Sequence, residues 1–265
     1  MRSLDVLCAD SSSISRAFAS VARLYGERGR ERLSAGHVAV VGLGGVGSWA
    51  AEALARTGMG RLTLMDPDVI AESNLNRQIH ATQATLGMNK VDAMRERIAD
   101  IAPACRVDCI DEFLSAETLG LLLAAGADIV IDATDQIAAK VTLALASRDG
   151  RRPLIICGAA GGKRDPLRLR KGDLAEATHD ALLARMRTRL RREHGFPAVV
   201  HGRVRRFGLT AIWSEESAQA WAGSSDHAPG APLACGGYGS VVMVTAAMGM
   251  AAASLAVESV LADSP

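Results

Sequence analysis

The stretch Val40-Val41-Gly42-Leu43-Gly44-Gly45-Val46-Gly47 decides the fold, and Asp66-Pro67-Asp68 with Ser73-Asn74-Leu75-Asn76-Arg77-Gln78 carries the reading toward chemistry. Before the glycines, His37 to Val41 is a short apolar run, the pattern of a strand buried on both faces. After them, Ser48 to Thr57 is alanine-rich and helical and is stopped by Gly58. Gly42-x-Gly44-Gly45-x-Gly47 satisfies the pattern Gly-x-Gly-x-x-Gly. One glycine makes the tight turn, another lets a phosphate approach the backbone, and the last packs helix on strand, while the helix N-terminus favours an anion. Asp66 closes a second strand from Arg61, 19 residues past Gly47, where an acid can bind ribose hydroxyls. These features mark an adenine-nucleotide site without distinguishing NAD from ATP.

Working outward, strand and helix alternate for most of the first half. Asn89 to Ile101 has helical spacing and ends before Pro103, and Arg106 to Ile110 reads as a strand. Ser115 is expected to start a helix without a full capping box, because Thr118 stands where Glu would. Asp128 to Asp132 is a strand, Gln136 to Ser147 a helix and Pro153 to Cys157 a strand. This alternation predicts an α/β fold with a doubly wound, Rossmann-like, mostly parallel sheet. Past Gly158-Ala159-Ala160-Gly161-Gly162 the rhythm changes. Thr178 to Glu193 is an arginine-rich helix, Gly208 to Trp213 a strand, and Glu215 to Leu233 a mobile loop. An apolar helix after Gly239 ends the chain. The organisation expected is a single domain over 1–265: an N-terminal helical segment (1–35), a nucleotide-binding core (36–170) and a C-terminal extension of loop plus apolar helix (171–265).

Composition sets the limits. The chain has 265 residues, 49% hydrophobic and 22% charged, enough for a sizeable core. Aromatics are only 3%, so that core must be aliphatic. With a net charge of +1, nucleic-acid affinity has to come from a local patch. The five cysteines form no Cys-x-x-Cys pair, so neither a structural zinc site nor a disulfide framework is suggested, and a reducing cytoplasm fits best. Ser240 to Val257 holds no charge over 18 residues, the threshold length for a spanning helix. Its Ala, Gly, Ser and Thr content favours a helix buried in a protein or dimer core over membrane association.

The polar cluster separates the two nucleotide chemistries. A nicotinamide pocket is flat and fairly apolar, whereas a site that cleaves ATP between the α and β phosphates needs cations and donors over the triphosphate. Arg77 can clamp phosphate through its planar fork, with Ser73, Asn74 and Gln78 around it. Lys90, at the start of a helix, adds a point charge. Asp132-Ala133-Thr134-Asp135 ends the fourth strand at the carboxyl edge, where ligands gather, and a carboxylate there can hold magnesium. Singly, each has a plainer explanation: Lys90 a solvated helix start, Asp132 a helix cap, Arg77 a surface charge. Their concentration on one sheet edge argues for ATP.

In this order the glycine loop, Asp66, Ser73 to Gln78, Lys90 and Asp132 to Asp135 resemble the ubiquitin-activating-enzyme-like superfamily. The resemblance implies adenylation of a carboxylate with MgATP, with Gly42, Gly44, Gly45 and Gly47 at the nucleotide and Asp66 on ribose. It puts Arg77 and Lys90 on phosphates and Asp135 near magnesium and the reacting phosphate. It also implies a homodimer in which an N-terminal arginine, Arg23 in Ala22-Arg23-Leu24-Tyr25-Gly26, reaches the partner subunit's site. Within the superfamily the chain is most similar to the bacterial tRNA threonylcarbamoyladenosine dehydratases. Arg23 to Gly26, Gly45 to Gly58 and Asn76-Arg77-Gln78-Ile79-His80-Ala81 carry that likeness. It is strong over 20–170, weak over 195–233, and resumes at Cys235-Gly236-Gly237-Tyr238-Gly239.

That family implies ATP-dependent cyclisation of threonylcarbamoyladenosine beside the anticodon of tRNA; no DNA partner is implied. Cys235 is an acyl acceptor, a carrier of sulfur toward a sulfur-transfer partner protein, or a small buried apolar group. Arg185, Arg187, Arg189, Arg191 and Arg192 crowd one helix, joined upstream by Lys163, Arg164, Arg168, Arg170 and Lys171. They fit either a solvated helix or a surface that tracks phosphates by backbone and shape. The competing functions are an adenylyltransferase for a ubiquitin-like sulfur carrier, an NAD-dependent oxidoreductase, and a silent binding module.

Overall fold

A computed structural model describes residues 16–150, 152–199, 204–219 and 238–262. The elements run α1 (Ala19–Ala35), β1 (His37–Val41), α2 (Gly47–Arg56), β2 (Arg61–Met65), α3 (Lys90–Ile101), β3 (Arg106–Ile110), α4 (Leu119–Ala124) and β4 (Ile129–Asp132). They continue with α5 (Ile137–Gly150), β5 (Leu154–Cys157), β6 (Leu169–Asp173), α6 (Ala181–His194), β7 (Thr210–Ser214) and α7 (Val242–Leu261). The sheet has seven strands in the order β3-β2-β1-β4-β5-β7-β6. Every neighbouring pair is parallel except β6 and β7. The strand order reverses direction at β1 and β4, so their carboxyl ends open a crevice suited to a ligand.

The apolar runs explain the two layers. In β1, Val38 and Val40 face one core while Ala39 and Val41 face the other. The same alternation holds for Ile129 and Ile131 against Val130, and for Ile155 and Cys157 against Leu154 and Ile156. The first core is closed by α2, α3 and α7, the second by α4, α5 and α6. A sheet buried on both faces needs continuous apolar strands, as the sequence shows for β1, β4 and β5.

Two differences from the sequence reading have physical causes. The helix expected from Ser115 begins later, at Leu119. Ser115 and Thr118 bond reciprocally, backbone N–H of each to the other's hydroxyl at 2.9 and 3.3 Å, so Thr takes the capping role assigned to Glu. Strand β6 was not expected, because Leu169-Arg170-Lys171-Gly172-Asp173 is polar and lies at the sheet edge. Strands β6 and β7 extend the sheet past β5. The expected loop over 215–233 is described only to 219.

Helix α7 is the one described helix long and apolar enough to cross a membrane by length and composition. In this fold Val244, Met248, Ala252 and Ala256 are buried in the first core, and Gly249 lies against Val46 and Trp49 of the glycine-loop helix. A side chain at 249 would strike the Val46 carbonyl oxygen, so the small residues of α7 permit close helix packing.

Between β2 and α3 the chain makes an excursion over 66–90. Ile70 and Met88 are joined by a 2.9 Å backbone hydrogen bond, and Lys90 N–H donates to the Asp68 carbonyl at 3.0 Å. A small separate core of Ile70, Ala81 and Ala93, with Leu75, Leu86 and Met88 against it, holds this excursion in place. It carries Asn74, Arg77 and Gln78 to the mouth of the crevice.

Candidate active site

A cavity of about 410 Å³ runs along the carboxyl edge of the sheet. Its walls include Gly42, Gly44, Gly45, Asp66, Asn74, Arg77, Gln78, Lys90 and Asp135. Gly42 has φ 88°, a conformation that side chains disfavour, and a Cβ on Gly47 would collide with the Gly42 carbonyl oxygen. The loop is therefore folded back tightly against its own helix. Gly47 serves that packing and does not line the cavity.

Asp66 is buried at the end of β2. Its Oδ2 accepts from Leu43 N–H at 2.6 Å and its Oδ1 from Asp68 N–H at 2.9 Å. Lys90 Nζ lies 3.5 Å from Asp66 Oδ1 and 2.6 Å from Asp68 Oδ2. Burial raises the Asp66 carboxyl above the usual range, while the Lys90 ammonium and the two backbone donors oppose the rise. Each carboxylate oxygen has a second lone pair, so Asp66 can still accept from a vicinal diol.

Within Ser73 to Gln78 each residue has a separate task. Arg77 Nη1 donates to the Ser73 carbonyl at 2.6 Å and to Asn76 Oδ1 at 2.9 Å, fixing the guanidinium. The Arg77 carbonyl in turn accepts from Trp49 Nε1 at 2.9 Å. Ser73 thus acts through its backbone and is not part of the cavity wall. Asn74 Oδ1 accepts from Ala71 N–H at 3.0 Å, and Asn76 Nδ2 donates to the Ser240 carbonyl at 2.9 Å, next to α7. Gln78 is buried at the wall, and its Oε1 has no protein partner among the described residues. Nearby His80 is 2% exposed with both ring nitrogens unpartnered. Burial, with Lys90 and Arg97, pushes its pKa down to about 4.

Asp132 is a correction. It does not line the cavity: it is fully buried, with Oδ1 accepting from Thr134 N–H and Oγ1 at 3.1 and 2.8 Å. Lys140 Nζ lies 3.1 Å from Asp132 Oδ2 and donates to the Cys157 carbonyl at 2.7 Å. The pair joins β4 to β5 beneath the cavity floor. Asp135, by contrast, is exposed at the cavity wall. Arg23 is exposed on α1 and does not reach this chain's cavity. Cys235 lies outside the described residues.

Magnesium takes oxygen ligands and keeps several waters, so one or two carboxylates beside nucleotide phosphates suffice. Among the described residues no group of three or more His, Cys, Asp or Glu could hold a metal ion alone. A lone exposed Asp135 at the wall fits a magnesium that arrives with a nucleotide.

Other wall residues were absent from the sequence reading as site residues. Asp68 shares Lys90; Phe113 and Leu114 give an apolar wall past β3; Lys163, His179, Asp180 and Tyr238 stand at the other end. His179 has φ 53° and its Nδ1 is 3.1 Å from Ser217 Oγ. The arginine cluster is split by burial. Arg187 donates to the Leu174 carbonyl at 3.4 Å, and Arg191 lies over the Phe207 ring. Arg185, Arg189 and Arg192 are exposed, with Arg189 paired to Glu193.

A glycine-loop crevice lined by Asp66, Arg77, Lys90 and Asp135 has the make-up of a nucleotide-binding site. The ThiF family pattern matches residues 15–263. The tRNA threonylcarbamoyladenosine dehydratase of Escherichia coli K12 is 38% identical over 253 residues, covering 92% of this chain and 93% of that protein. That of Haemophilus influenzae is 37% identical over 245 residues, covering 92% and 93%. A solved structure of the E. coli dehydratase in complex with ATP superposes with TM-score 0.83 at 37% identity, covering 95% of this chain and 96% of that one. The chain belongs to the ThiF family and, within it, to the tRNA threonylcarbamoyladenosine dehydratases.

Proposed function

We propose that this protein uses ATP to cyclise threonylcarbamoyladenosine beside the anticodon of tRNA, activating its carboxylate as an acyl adenylate. The observation that carries this reading is one continuous cavity joining the glycine loop, Asp66, Arg77, Lys90 and Asp135 to a further wall beyond β5. Phe113 and Leu114 provide the apolar surface for adenine, and Asp66 accepts from the ribose hydroxyls. Gly44 and Gly45 let the phosphates approach the backbone. Arg77, held by Ser73 and Asn76, and Lys90 draw negative charge from the phosphates. Asn74 and Gln78 orient the chain of phosphates through their side-chain amide N–H groups, and the unpartnered Gln78 Oε1 accepts from a donor elsewhere on the nucleotide or its water. Magnesium bound with the nucleotide would neutralise phosphate charge, with Asp135 as its protein ligand.

A substrate carboxylate oxygen attacks the α-phosphorus, forming the mixed anhydride and releasing pyrophosphate. A carbamoyl-unit nitrogen then attacks the acyl carbon; the C–N bond forms, AMP leaves and the nitrogen gives up its proton. Proximity supplies much of the rate, so no protein nucleophile is needed. Neither Cys235 nor a sulfur-transfer partner has a step in this scheme. Arg23 is assigned to the partner subunit's site in a homodimer. A tRNA substrate is consistent with a cytoplasmic reaction.

The test is incubation with MgATP and tRNA bearing threonylcarbamoyladenosine, following AMP and the cyclised nucleoside. Both should accumulate together. Absence of both, or binding of NAD without ATP, overturns the proposal.

A further inference from the structure

The cavity holds a third cation that the nucleotide chemistry does not use. Lys163 follows the glycines after β5; it is 3% exposed, yet it forms part of the cavity wall. Its ammonium donates to the Ser214 carbonyl at 3.3 Å and lies 3.7 Å from Asp180 Oδ2. An ammonium has three N–H donors, which leaves one for the cavity. Asp180 does not absorb the charge alone. Its Oδ2 accepts from Ala159 N–H at 2.8 Å and its Oδ1 from Leu183 N–H at 2.9 Å, where it caps α6. The neighbouring acid Glu216 is likewise engaged by the backbone N–H groups of Arg164 and Asp165, each at 2.8 Å. Burial holds the Lys163 ammonium below its usual pKa, and Asp180 and Glu216 work against that fall.

Position gives this cation its meaning. Neighbouring strands lie about 4.8 Å apart, so β7, where Ser214 stands, is about 10 Å beyond the end of β4. That is the side away from Asp66 and Lys90, which flank β2. The phosphate end already has Arg77 and Lys90. The remaining anion in the reaction is the carboxylate to be activated.

Resting on the function proposed above, we infer that Lys163 anchors the carboxylate of the acyl substrate. Its third N–H donates to one carboxylate oxygen and leaves the other free to attack the α-phosphorus. Asp180 is a positioning residue that fixes the ammonium. The ligand class is a nucleoside carrying an amino-acid-derived carboxylate.

The test uses the nucleoside threonylcarbamoyladenosine and its methyl ester, binding to protein saturated with a non-hydrolysable ATP analogue. Wild type should prefer the acid by about 10- to 100-fold, the worth of a charge-assisted hydrogen bond. Lys163→Met should erase that preference while ATP affinity stays within about two-fold. Because Lys163→Met leaves Asp180 buried and unpaired, Lys163→Met/Asp180→Asn provides a second variant without the stranded charge. In turnover, Lys163→Met should raise KM for tRNA and leave KM for ATP unchanged. Equal binding of acid and ester by wild type overturns the anchor, as does an acid preference that survives in either variant. A missing AMP signal with tRNA defeats the proposed reaction, whereas the binding arm judges Lys163 without turnover.

Discussion

The two ends of the cavity are built in opposite ways. The nucleotide end is assembled mainly from short motifs, the glycine loop, Asp66-Pro67-Asp68 and Ser73 to Gln78, that follow one another closely in the chain. The glycine loop, Asp66 and the 66–90 excursion are tied by contacts between neighbouring motifs 22 or 23 positions apart, such as Leu43 N–H to the Asp66 carboxylate and Lys90 N–H to the Asp68 carbonyl. The far end depends on longer-range packing: Lys163 meets Ser214 across 51 positions, and Arg164 meets Glu216 across 52. A phosphate is recognised by backbone shape, which a short motif can encode. A particular acyl group is recognised by side chains brought together only by the finished sheet.

The two ends are joined at Asp132, Lys140 and the Cys157 carbonyl, and breaking that seam should have the largest effect. Lys140→Met leaves a fully buried carboxylate without its cation, a change that costs about 3–5 kcal/mol. Urea unfolding should register the loss, and Lys140→Met/Asp132→Asn should recover part of it. An unchanged midpoint in the single variant would sink the structural role given to this pair. Next, Arg77→Ala should lower tRNA-dependent AMP release by about 10²–10³-fold with the fold intact, as for loss of a positioned phosphate donor. If AMP release persists, the phosphate role passes to Lys90 alone.

This contrast also explains what the sequence made legible. Strands β1, β4 and β5 are apolar on both faces and bounded by breakers, so their runs stand out. The glycine loop and Asp66 stand out because spacing alone encodes them. Strand β6 is a polar edge strand paired through its backbone to β7, and its polar run leaves no apolar periodicity to read. Asp132 was misread as a ligand because its partner sits on the next helix. The available signal was Lys140 itself, a lone charge inside Ile137-Ala138-Ala139-Lys140-Val141, which must find an acid when buried. Lys163 was read with the surface arginines because it follows glycines and precedes Arg164. Only the sheet brings it to Ser214 and Asp180.

The excursion that carries Arg77 can be probed through His80. A buried imidazole with pKa about 4 stays neutral in the fold, whereas the unfolded chain takes up a proton near the ordinary value of 6.5. Its contribution to stability is therefore full above pH 6.5 and is lost as pH falls toward 4. The linkage is worth at most about 3 kcal/mol. His80→Met should match wild type near pH 7 and lose less stability on acidification. Parallel stability–pH curves for the two proteins would show that His80 does not titrate with unfolding.

The smallest effect is expected on the arginine helix, where burial already separates two roles. Arg185, Arg189 and Arg192 follow i, i+4, i+7 spacing and share an exposed face, whereas Arg187 and Arg191 are half-buried against Leu174 and Phe207. Phosphate contacts release counterions, so each one removed lowers the salt dependence of binding as well as affinity. Arg185→Ala/Arg192→Ala should weaken tRNA binding about three- to ten-fold at moderate salt and reduce the slope of log K against log salt by about 1–2. ATP affinity and unfolding should not change. Arg187→Ala should do the reverse, costing about 1 kcal/mol of stability through its lost hydrogen bond and packing. A salt slope identical to wild type in the double variant would make this face a solvated helix surface. The acyl end of the cavity would then meet tRNA through other residues.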